Sequence, residues 1–135
     1  MPSIKIYTHK AFLYKMSEDP ACLVGRQQQI ENELCEVAAT GLSTENQKVD
    51  HADIEVLWIL CERGRRSLDL SVDLEFSQFF VEDDSGYITT PEMRFATRKA
   101  MLEVLENSTD LPMQSSVGVW IRPQYSGCFA SGTVR

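Results

Sequence analysis

The stretch from Leu68 to Ser77 limits this chain's options more than any other. Leu68, Leu70, Val72, Leu74 and Phe76 alternate strictly with Asp69, Ser71, Asp73, Glu75 and Ser77. A period of two marks a β-strand with one face on a core and the other wet, and no helix presents it. Such a strand needs paired neighbours and a layer to cover its apolar face. With 135 residues, 43% of them apolar, the chain can supply both in one two-layer domain covering 1–135.

The neighbours can be read from the same signals. Ile4 and Ile6 alternate with Ser3, Lys5 and Tyr7, which predicts a short first strand. Ile54, Val56, Leu57, Trp58, Ile59, Leu60 and Cys61 form a nearly continuous apolar run, the pattern of a strand covered on both faces. Glu62-Arg63-Gly64-Arg65-Arg66 reads as a hairpin turn from that run into the alternating strand. Val117, Val119 and Ile121 alternate with Gly118, Trp120 and Arg122, giving a last strand that Pro123 ends. Two helices carry clear starts, because Asp19-Pro20 and Thr90-Pro91 each place a capping residue before a first-turn proline. Leu23, Ile30, Leu34, Val37 and Ala38 make the first apolar stripe, with Gly41 placed to end the helix. Met93, Ala96, Ala100, Met101, Val104 and Leu105 make the second, which should stop near Asn107.

Three stretches lack such a period. Thr8 to Asp19 reads as a connector that packs in part, and Leu42 to Asp50 as a polar loop. The tail, Gln124 to Arg135, is rich in glycine and serine and is expected to be frayed or laid against another subunit. The expected fold class is therefore α+β: two β-α-β units, 1–61 and 67–122, followed by the tail 123–135. Their strands should form a four-stranded sheet with both helices on one face, parallel within each half.

Composition narrows the function. A net charge of −7 argues against a nucleic-acid or anionic-membrane surface. Cys22, Cys35, Cys61 and Cys128 are widely spaced, and with only His9 and His51 beside them no zinc spacing appears. Reduced thiols, together with an amino-terminal stretch lacking a signal-peptide core and no membrane-spanning run, lead to a cytoplasmic expectation. There is no phosphate loop, nucleophile elbow or nucleotide fingerprint.

The chain opens Met1-Pro2-Ser3-Ile4-Lys5-Ile6. If Met1 is removed, Pro2 becomes an amino-terminal secondary amine. Backbone amines titrate at about 7.7–8.0, and burial among apolar groups lowers that value, so the amine can serve as a base near neutrality. A terminal proline heading two strand-helix-strand units resembles the tautomerase superfamily, which includes 4-oxalocrotonate tautomerase and cis-3-chloroacrylic acid dehalogenase. The resemblance implies a cofactor-independent isomerase without a metal, moving a proton within a small enol or keto carboxylic acid. It implies Pro2 as catalytic base and acid, and a homotrimer whose sheets face inward.

Arg65 and Arg66, whose Gly64-Arg65-Arg66-Ser67 setting resembles a family Gly-Arg-Ser, and Arg122 are the candidate carboxylate clamps. Arginine suits that role through paired charge-assisted hydrogen bonds. Trp120 beside Arg122 is expected in the same site, and Tyr125 or Tyr7 could donate to a developing enolate. The acidic row Asp69, Asp73 and Glu75 would face the same central space, with Lys5 as the one evident partner. The sequence also departs from the family. Phe79-Phe80-Val81-Glu82-Asp83 stands where some members carry a second arginine, which weighs against a doubly anionic substrate. No Asp or Glu lies between Val117 and Arg135, which weighs against a hydratase or dehalogenase activity. The alternative from another class is a non-catalytic oligomeric binding module on the same fold.

Overall fold

The structure is a computed structural model that describes residues 2–43, 48–61, 68–76, 90–123 and 128–135, with backbone alone for Arg122, Pro123, Cys128 and Phe129. In chain order the elements are β1 (Ser3–Thr8), α1 (Lys10–Met16), α2 (Pro20–Leu42), a 3-10 turn (His51–Asp53), β2 (Glu55–Leu60), β3 (Leu70–Phe76), α3 (Pro91–Glu106), β4 (Ser116–Pro123) and β5 (Cys128–Thr133). The class is α+β, built on one mixed sheet ordered β2-β1-β3-β4-β5. β1 pairs in parallel with β2, and β3 in parallel with β4. The two halves join antiparallel through β1 and β3, and β5 adds antiparallel to β4.

Both proline-marked helix starts are where the sequence puts them. The Asp19 carboxylate accepts from the Ala21 N–H at 3.0 Å, and the Thr90 hydroxyl accepts from the Met93 N–H at 3.1 Å. Caps of this kind are worth about 1 kcal/mol each. α3 stops at Glu106 with Asn107 as its cap residue.

Register places the core on one side of the sheet. Ile4 lies opposite Leu74, Ile6 opposite Val72, Val72 opposite Val119, and Leu74 opposite Ile121. All are fully buried beneath Ile30, Leu34 and Ala38 of α2 and Met101 and Leu105 of α3. Burial of each large aliphatic side chain contributes about 1.5–3 kcal/mol, so this layer dominates stability.

Six expectations of the fold need correction. Among the described residues the sheet has five strands and there are three α-helices, in place of four and two. The connector after β1 contains α1, because Phe12 and Met16, four apart and both buried, give a single turn-on-turn apolar contact to the core. The described part of the tail, 128–135, is not frayed. β5 pairs with β4, the Gln114 N–H donates to the Val134 carbonyl at 3.0 Å, and the Arg135 N–H donates to the Glu106 carbonyl at 2.9 Å. β2 and β3 are not a hairpin, since β1 lies between them; the turn itself, 62–67, is outside the described residues.

The fifth correction concerns coverage. Among the described strands β2 lies at the edge, with Leu57 44% and Leu60 57% exposed, while on β3 the supposedly wet Ser71 and Asp73 are fully buried. A central strand is shielded on both sides by its neighbours' side chains, and an edge strand is not.

Gly41 does not end α2, which runs to Leu42 and is capped by Ser43. Its role is contact: a Cβ at Gly41 would overlap the side chain of Thr97 on α3, so glycine sets how closely the two helices approach.

Candidate functional site

Pro2 is buried at the head of β1, flanked by β2 on one side and β3 on the other. A proline at this position lacks an N–H, which the first residue of a strand can forgo. Beside it runs a row on the face away from the helices. Ser3 lies opposite Glu55 on β2 and opposite Glu75 on β3, and Glu75 lies opposite Arg122 on β4. Two strand spacings put the Arg122 backbone about 10 Å from that of Ser3. Pro2 and Arg122 thus share one end of the sheet, with carboxylates on both sides of Ser3.

The next row on that face is Leu57, Lys5, Asp73 and Trp120. The Lys5 ammonium sits 3.0 Å from the Glu75 carboxylate, the partnership anticipated for the acidic row. Asp73 is fully buried between the Lys5 and Trp120 positions, and Trp120 is half-buried. Asp69 does not belong to this space, because it is bound at the far end of the sheet.

Arg65, Arg66 and Tyr125 lie outside the described residues. Cys61 and Leu68, the described residues on either side of the arginines, both sit at the Thr8 end of the sheet. The Cys61 N–H donates to the Thr8 carbonyl at 2.8 Å, and Leu70 lies opposite Thr8. The six residues of β1 separate that end from Pro2, about 20 Å at strand rise. Tyr7 is at the same far end, opposite Ser71 and Ile59, so it stands away from Pro2.

That far end holds a hydrogen-bonded cluster. The Thr8 hydroxyl donates to the Asp69 carbonyl at 2.8 Å. The Asp69 N–H donates to the Ser116 hydroxyl at 2.9 Å, and the Asp69 carboxylate accepts from the Ser116 N–H at 2.9 Å and its hydroxyl at 3.1 Å. His9 Nδ1 accepts the Phe12 N–H at 3.2 Å, capping α1, which leaves Nε2 to face Asp69 Oδ1 at 3.4 Å. Partial burial works against the Asp69 charge, but the bonds from Ser116 and His9 outweigh it and hold the carboxyl below its usual value. In a hydrolytic triad the imidazole stands between the hydroxyl and the carboxylate. Here the carboxylate stands between the other two, so the cluster ties strand ends together.

The sequence assigns neither His9 nor Ser116 a role. Neither carries a local signal, since their partners are about 50 or more positions away along the chain. Cys22, Cys35 and Cys61 are free. A hydrogen bond to the Asp19 carboxylate pushes the Cys22 thiol up, and burial pushes Cys35 up, so neither is poised as a thiolate nucleophile. Among the described residues no group of three or more His, Cys, Asp and Glu could hold a metal, and no helix is long and apolar enough to cross a membrane. Two cavities formed by described residues lie on the helical side of the molecule, away from Pro2.

In comparisons with known proteins, no family model, no curated protein and no solved structure matches the chain.

Proposed function

We propose that the protein is a cofactor-independent tautomerase in which Pro2, freed by removal of Met1, moves a proton within a small enol or keto carboxylic acid. What supports this reading above all is the buried position of Pro2 at the end of the sheet that also carries Arg122. Burial disfavours the ammonium form of a terminal amine, which brings its titration toward the working range of a general base. Arg122 would hold the substrate carboxylate, with Trp120 and Tyr125 beside it. Arg65 or Arg66 would hold the carboxylate with Arg122, in a homotrimer.

The test has two parts. Intact mass should show Met1 absent, and Pro2→Ala should reduce turnover of an enol acid such as phenylenolpyruvate or 2-hydroxymuconate by at least about 100-fold, the scale of general acid-base catalysis. A retained Met1, or turnover unchanged in Pro2→Ala, overturns the mechanism.

A second reading is favoured by a different observation, the apolar edge strand β2 with Leu57 and Leu60 exposed. On that reading the chain is an oligomeric binding module without turnover. Wild-type protein that assembles and yet turns over none of these acids would decide for it.

A further inference from the structure

α2 and α3 cross where Gly41 meets Thr97, and their small side chains leave a trough of about 530 Å³ on the side away from the sheet. Val37, Met93, Ala96 and Ala100 form apolar walls, and Thr97 keeps its hydroxyl turned to the Met93 carbonyl at 2.8 Å, so it offers the trough little polarity. Cavities of 300–1,000 Å³ with apolar walls and a few polar groups are the ordinary form of small-ligand sites.

The polar groups are gathered at one end. Glu36, Thr40 and Ser43 line this trough and also a second cavity of about 410 Å³, whose remaining wall includes Lys48, Asp50 and His51. That junction holds two carboxylates against one ammonium, and His51 Nδ1 lies 3.3 Å from Asp50. Glu36 makes no ion pair among the described residues. The last turn of α2 opens onto the same junction without a basic residue, so the negative end of its dipole is uncompensated by its own side chains. The positive end of α3 is already met by Glu92 in its first turn. The charge at this end of the trough is therefore complementary to a cation.

We propose that the trough binds a small amphipathic amine, with its apolar body between Val37, Met93, Ala96 and Ala100 and its ammonium at Glu36. The site lies on the opposite side of the helices from Pro2 and does not depend on the proposed tautomerase activity.

The experiment is a titration of the full chain with 2-phenylethylammonium, followed by backbone amide shifts, with 3-phenylpropionate as the matched anion. The expected result is saturable shifts at Val37, Gly41, Ala96 and Ala100 for the amine and much weaker ones for the anion. Ala100→Leu, which fills the trough while keeping a strong helix former, should weaken amine binding by at least about tenfold. Glu36→Gln, an exposed position, should weaken it about fivefold. Equal binding of amine and anion, shifts indifferent to Ala100→Leu, or the absence of saturable shifts overturns the proposal. So does concentration-dependent broadening of these amides without ligand, which would assign the trough to a second copy.

Discussion

β2 and β4 occupy the same place in the two halves of the molecule. Each follows a long helix and pairs in parallel with the strand that opened its half. Their fates differ. β4 has β5 along its outer side and buries Val117, Val119 and Ile121 completely, while β2 forms the edge of the sheet with Leu57 and Leu60 in the open. The more apolar of the two sequences is the less buried. An apolar run therefore records a demand for cover and does not reveal whether the same chain meets it, and an unguarded apolar edge invites pairing with another chain.

The comparison can be broken most directly in the core. Ile121→Ala on β4 should cost about 2–5 kcal/mol in urea denaturation, since it empties a fully buried site. Leu57→Ala on β2 should cost less than about 0.5 kcal/mol in dilute solution. If the Leu57 cost rises with protein concentration while that of Ile121 does not, β2 is covered by a second copy.

A smaller effect tests how α3 is held to each half. Gly41→Ala should destabilise by about 1–3 kcal/mol, because Thr97 is buried, branched at Cβ and bonded to the Met93 carbonyl, and has little room to retreat. Gly132→Ala on β5 should cost less, since the atoms it meets are the far end of the Glu106 side chain. Equal melting temperatures for the two variants would contradict this account of the α2–α3 contact.

The smallest expected effect is at the start of β4. Asp69 has a lowered carboxyl value in the folded protein, so its contribution is present above the unfolded carboxylate range, about pH 4, and is lost as pH falls through the lower folded value. Asp69→Asn should flatten the loss of stability below about pH 4 relative to wild type, by less than about 1 kcal/mol because the group is partly exposed. Identical acid-unfolding profiles would show that the cluster does not secure β4.

Much of the fold was legible. The alternation in β1, β3 and β4 and the two cap-plus-proline starts are local signals, and each marks the element it predicted. What escaped depends on distant partners. β5, Cys-Phe-Ala-Ser-Gly-Thr, has little intrinsic strand character and exists through its ladder with β4. α1 is capped by His9, a residue with no strong capping preference. The two halves reveal that β1, the first strand in sequence, is inserted between β2 and β3, which no local pattern encodes. Of the candidate site, Pro2, Arg122 and the acidic row with Lys5 as its partner stand out in the sequence, while the Glu55 carboxylate beside Ser3 emerges only from register.

The chain has two tryptophans, and the sheet separates them. Trp58 lies in the Ile6 row, packs against the core and donates to the Glu31 carboxylate of α2 at 3.1 Å. Trp120 lies in the Asp73 row on the opposite face. Each side of the sheet therefore carries its own intrinsic fluorophore, and single-tryptophan variants would let the emission of one follow helix docking while the other reports what approaches the open side.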